Sequence, residues 1–136
     1  MSAPDPAGLR RIATECVALV ASEYHCQLDW SPDSLAELDT VCASLLANGP
    51  LGDQRLELWW RLIGAYAGEV LIRTYGGAWI AHDKTPGTPA VSVSGVTAFP
   101  FGIADRVLNG EPYKSLASFA GVLPSVVDRA QRPPDS

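Results

Sequence analysis

Paired cysteines, basic clusters and long apolar runs are all scarce in this chain. Its cysteines are Cys16, Cys26 and Cys42, three in 136 residues. An odd count with no closely spaced pair excludes a disulfide framework and the common zinc sites. His25-Cys26 joining Cys16 and Cys42 around a metal would lack the ligand pair that structural zinc sites bring. Buried thiols acting as small apolar groups are the expectation, and neither a metal nor a cofactor is expected. Lys and Arg number ten against fifteen Asp and Glu, a net charge of −5. The basic residues form no stripe, which argues against a nucleic-acid binder. No stretch approaches the roughly 18 apolar residues of a membrane span. The run "IATECVALVA" after Arg10-Arg11 holds Thr14 and Glu15, and no small-residue cleavage site follows it, unlike a signal peptide. A soluble cytoplasmic protein is expected.

Reaction motifs are missing too. "VSVSGV" and "FAGVL" do not contain GxSxG. "YGGAW" follows a helix and opens a strand, the reverse of a phosphate-cradling loop, so it reads as a helix C-cap. His82-Asp83 is a neighbouring pair with no nucleophile at an identifiable spacing, and a hairpin shoulder is its expected place.

What is present is enough apolar residue, 47%, for the core of one domain. Residues 1–8 and 132–136 read as disordered tails around a single domain over 9–131. The first helix is predicted over Leu9–Glu23, with Leu9, Ile12, Cys16, Leu19 and Val20 on one face. In "WSPDSL", Ser31 is a good N-cap, Pro32 suits the first helical position, and Asp33 complements the helix dipole. That second helix turns Leu35, Leu38, Cys42, Leu45 and Leu46 inward and ends at Asn48-Gly49-Pro50. The third, Asp53–Tyr75, carries two apolar stripes, one through Trp59, Ile63, Tyr66 and Val70, the other through Trp60, Gly64, Gly68, Leu71 and Tyr75. A helix apolar on both sides is central. Strands are predicted at 78–82, around Val91 and Val93, and in short form at 96–99, with "DKTPGT" as a turn. "PFGIADRVLNG" is a fourth helix closing at Asn109-Gly110, and one or two more follow, interrupted at Pro124. The class is α+β, with helices packed around a small antiparallel sheet of two or three strands.

"GAYAGEVLIRTYGGAW", residues 64–79, poses the functional question. Glycine inside a helix costs about 0.5–1 kcal/mol against alanine, so Gly64 and Gly68 call for a compensating use. Four residues apart, they share a face and leave a groove for a backbone or for a ring such as Trp79. Glu69 lies one residue from each apolar stripe. It could face solvent and pair with Arg73. It could be partly buried and accept hydrogen bonds from backbone donors of the loop around Gly76 to Trp79, or from the sheet, pinning the helix-to-sheet junction. It could also line a pocket with Tyr66, Arg73 and His82 and do acid–base work.

"LDWSPDSLAELD", the 64–79 segment and "FPFGIADRVLNGE" occur in this order and together resemble a family of small uncharacterised bacterial domains. Its members look like a "LDYSPESL" helix start, then "YLGE…GG.W", then "PF…R..NG". The resemblance spans roughly residues 28–120 and brings no known activity. It implies a bacterial cytoplasmic protein in which Tyr66, Gly68, Glu69, Gly77, Trp79, Pro100, Phe101, Asn109 and Gly110 matter. Ala67 stands where leucine is more usual, which would widen the groove.

Two functional expectations follow. The first is a non-catalytic protein-binding module, an adaptor or immunity-type protein. Trp30, Trp59, Trp60 and Trp79 are many tryptophans for the length, and an exposed one would anchor a partner. Trp60, Trp79, Arg106 and Asn109 are its candidate binding residues; Gly64, Gly68, Glu69, Gly77, Pro100 and Phe101 are structural. Arg106 suits an acidic partner residue, and the acidic chain as a whole suits a basic partner such as a nuclease-type toxin. The alternative is an enzyme or small-ligand binder with a pocket around Glu69, Tyr66, Arg73 and His82.

Overall fold

A helix that is apolar on both sides must be surrounded, and the third helix is. The computed structural model describes residues 5–82 and 87–131. Along the chain come α1 (Pro6–Tyr24), α2 (Pro32–Leu46), α3 (Asp53–Tyr75), β1 (Ala78–Ile80), β2 (Ala90–Val93), β3 (Val96–Ala98), α4 (Pro100–Leu108), α5 (Leu116–Gly121) and α6 (Leu123–Gln131). Every residue of α3 from Leu62 to Val70 is buried, and α1, α4 and β2 pack against this helix. The class is α+β, with helices around a three-stranded antiparallel sheet in the order β1-β2-β3. Trp79 pairs with Val91, and Val91 in turn with Ala98.

Local chemistry explains the boundaries. α1 begins at Pro6, ahead of the expected Leu9, so Pro6–Gly8 belong to the helix and not to a disordered tail. Proline is tolerated in a first turn, where its missing N–H has no intrahelical partner to lose. Residues 1–4 and 132–136 lie outside the described residues, as do 83–86 of the expected turn. Ser31 caps α2, its hydroxyl accepting the Ser34 N–H. α3 ends at Gly76, whose φ of 72° suits glycine and whose N–H donates to the Ile72 carbonyl. The next residue must also be glycine. A Cβ on Gly77 would run into the Ser92 carbonyl oxygen, where β2 passes the start of β1. The break expected at Pro124 falls earlier, at Val122, and Pro124 sits in the first turn of α6.

The far end of the chain is tied down by one carboxylate. Asp39 on α2 accepts the N–H groups of Leu116 and Ala117 at 2.8 and 3.0 Å. These are orphan donors of the first turn of α5, so Asp39 fixes α5 onto α2. Burial pushes its carboxyl above the usual aspartate value, against the pull of those two donors.

Candidate functional site

The two helix glycines are seats for two rings. A Cβ on Gly68 would overlap the Trp79 indole, and one on Gly64 would overlap the Phe101 ring. The two rings meet with centroids 6.0 Å apart. Trp79, from β1, and Phe101, from α4, thus lock sheet and helix onto α3 through adjacent notches. Pro100, buried at the first turn of α4, sets the direction of that helix.

Glu69 lies one residue beyond the Gly68 notch and is 3% exposed. The Trp79 indole N–H donates to its Oε2 at 2.9 Å. Its Oε1 faces two guanidinium groups, with Nε of Arg10 at 3.7 Å and Nε of Arg73 at 3.9 Å. Glu69 does not face solvent as the first expectation had it: it meets Arg73 from the interior and anchors the helix-to-sheet junction. The donor is an indole side chain, not the loop backbone. The pairs are geometrically loose and open to solvent on the arginine side, so the charge-assisted indole bond is the stronger contact.

Arg73 leads on to a second group of residues. Its guanidinium lies over the Trp30 ring, 3.8 Å from the centroid, and Trp30 stacks on Tyr66 at 5.1 Å. The Trp30 N–H donates to the Tyr66 hydroxyl at 2.9 Å, and the Ser34 hydroxyl shares a hydrogen bond with that same oxygen. Burial raises the Tyr66 hydroxyl above its ordinary value, partly offset by these bonds. Trp30 has a φ of 68°. A left-handed conformation costs a non-glycine residue about 1–2 kcal/mol, and here the Tyr66 bond and the two ring contacts hold it.

Of the four residues expected around a pocket, Glu69, Arg73 and Tyr66 are linked through Trp30. His82 is placed elsewhere, just past β1, with its ring edge-on to Phe99 at 5.1 Å. Among the binding candidates, Trp60 is half-buried and faces inward. Its indole N–H donates to the Phe101 carbonyl at 2.9 Å, and its ring packs on Phe101. Trp79 is buried against Glu69. Asn109 caps its own helix, donating to the Asp105 carbonyl and carboxylate. Arg106 and Asn109 are both exposed; Asn109 spends its amide on Asp105, and Arg106 makes no ion pair among the described residues.

Arg106 belongs to a feature with no signature in the sequence. β3, α4, α5 and α6 leave an open groove of about 490 Å³ between them, floored by Leu71 and walled by Phe99, Ile103 and Phe119. Thr97 and Arg106 are the polar side chains in its lining. At its rim Val122 and Val126, one helical turn apart, are 55% and 37% exposed. No protein-family profile, no curated protein and no solved structure matches this chain.

Proposed function

We propose that this protein is a non-catalytic binding module of the bacterial cytoplasm that engages another protein. The carrying observation is the open apolar groove between β3, α4, α5 and α6, with one cation at its edge. Its volume lies within the range of ligand sites, and solvent-exposed Val122 and Val126 extend the apolar surface outward. The occupant we assign is a short apolar segment of a partner protein that carries one acidic residue. The apolar side chains fill the groove, and the carboxylate meets Arg106 in the planar, two-point geometry arginine offers. The chain's net charge of −5 speeds encounter with a partner that is basic overall. Three free cysteines fit a reducing compartment. Among the described residues no helix is long and apolar enough to cross a membrane.

The alternative, acid–base chemistry at Glu69, has weaker support. Glu69 already holds an indole donor and two arginines, and Tyr66 spends its hydroxyl on Trp30 and Ser34.

The test is co-purification of the tagged chain with cellular proteins, wild type against Val126→Asp and Arg106→Glu. Both sites are exposed, so both variants should fold. One stoichiometric partner lost from both variants, and recovered by Arg106→Glu when the partner's acidic residue is changed to lysine, supports the reading. A partner retained by both variants, or no stoichiometric partner at all, overturns it.

A further inference from the structure

Glu69 is one carboxylate facing two guanidinium groups, and the imbalance is open to solvent. Arg10 and Arg73 come from different helices, α1 and α3, yet both point Nε at the same Oε1, at 3.7 and 3.9 Å. The other oxygen, Oε2, is held by Trp79, so Glu69 cannot swing to neutralise either arginine more closely. Among the described residues, the terminal nitrogens of Arg10 and Arg73 make no hydrogen bond. The two side chains are 60% and 42% exposed. Asp29, next to Trp30 in the chain, is engaged by the Ser31 N–H and hydroxyl. Asp29 keeps its charge but makes no ion pair with either arginine, so the one carboxylate that directly faces the two guanidinium groups is Glu69.

Arg73 is also held in place. Its guanidinium carbon lies over the Trp30 ring, 3.8 Å from the centroid. Trp30 in turn keeps a left-handed backbone that is stabilised by the Tyr66 hydroxyl. Strain of this kind persists only where surrounding contacts over-determine it, and here those contacts fix the Trp30 ring beneath Arg73. The product is a fixed cation on an aromatic platform, with a second cation beside it.

We infer that Arg10, Arg73 and Trp30 form a binding site for the phosphate group of a small phosphorylated compound, separate from the groove at Arg106. Two guanidinium groups on different helices present donors from two directions. A tetrahedral oxyanion can bridge them with separate oxygens, whereas a planar carboxylate matches the edge of one. Glu69 is the positioning residue: it draws both arginines together and offsets one of their charges, so the site closes its balance when an anion enters.

The probe is inorganic phosphate, titrated into the full chain at constant ionic strength against sodium chloride, with sodium acetate as a planar control. Amide and indole N–H shifts are followed by two-dimensional NMR. Saturable shifts centred on Trp30 and Arg73, with half-saturation in the low millimolar range or below and at least fivefold weaker for acetate, are the expected result. Arg10→Gln, at a mostly exposed position, should keep the wild-type spectrum elsewhere and weaken phosphate binding at least fivefold. Arg73→Lys, which keeps the charge but loses the guanidinium held over Trp30, should weaken it as well. Shifts no larger than those with chloride overturn the proposal, as does undiminished binding by Arg10→Gln. Val126→Asp should bind phosphate like the wild type, so failure here and failure of the groove are read independently.

Discussion

Gly68→Ala separates a seat for Trp79 from an ordinary helix position. On an unconstrained helix the change should stabilise, because alanine is favoured over glycine by about 1 kcal/mol. In this protein a Cβ on Gly68 would stand 2.5 Å from Cζ2 and 2.9 Å from Cζ3 of Trp79, and closer still to Cη2. To restore an ordinary contact of 3.4 Å at Cζ2, the ring must retreat by about 0.9 Å (3.4 − 2.5), and by more at Cη2. It has nowhere to go. Trp79 is 7% exposed, packs against Phe101, and is bonded through its N–H to Glu69. Overpacking costs about 1–3 kcal/mol, and loosening a hydrogen bond to a buried charge about 1.5–3 kcal/mol. Against the gain of about 1 kcal/mol in propensity, the net expectation is a loss of about 1.5–5 kcal/mol. In a domain of this size that is a fall in Tm on the order of 10 °C. Urea and thermal unfolding, followed by circular dichroism and tryptophan fluorescence, measure it. Trp79→Leu should make Gly68→Ala much less costly, so the double-mutant cycle should show a coupling of about 1 kcal/mol or more. A Gly68→Ala protein that melts at or above the wild type refutes the reasoning.

Replacing the Glu69 carboxylate should be graded. Glu69→Gln, still able to accept from Trp79, should cost about 1–2 kcal/mol, and Glu69→Leu, which leaves a buried indole N–H and two arginines without it, about 3–5 kcal/mol by urea unfolding; equal costs would show that the hydrogen bond is immaterial. Burial pushes the Cys16 and Cys42 thiols up to about 12 from 9.0, so the unfolded chain loses these protons first. Their contribution to stability is therefore whole below about pH 9 and is lost as pH rises towards about 12, and Cys16→Ala/Cys42→Ala should flatten the alkaline limb of a stability-against-pH curve. In native protein a thiol reagent should modify Cys26 first, since Cys16 and Cys42 are buried; all three should react at comparable rates once denaturant is added. Asp39→Ala should free the first turn of α5, raising amide exchange at Leu116 and Ala117 while leaving that of α3 unchanged.

Much of this architecture is legible in residue spacing. α3 spans Asp53–Tyr75 as the two stripes and the closing Gly76-Gly77 predict, because a helix apolar on both sides has only a central place to go. Ser31 and Pro32 open α2 for reasons contained within one turn. The Gly64–Gly68 spacing predicts a groove for a backbone or a ring such as Trp79, because four residues make one face; rings fill it, Trp79 at Gly68 and the unforeseen Phe101 at Gly64. Arg10 and Trp30 escape the same reading. Their importance lies in contacts with Glu69 and Arg73 on a different helix, and nothing local to either position requires them. Trp60 misleads for the opposite reason. A surface tryptophan and one that spends its N–H on the Phe101 carbonyl look alike until α4 is in place.

The sequence by itself determined the class, the central helix, the capped boundaries and the notches that glycine leaves, all of which follow from periodicity and from backbone chemistry within a few residues. Tertiary structure alone decided which side chains meet. Asp39 reaches residues 116 and 117, Phe101 fills the notch at Gly64, and Arg10 faces Glu69. The groove beside Arg106 was decided there too, since it is a space between four elements. A contact between distant residues depends on how helices cross, and an unfilled space depends on what fails to cross it, so neither has a period or a motif to leave in the chain.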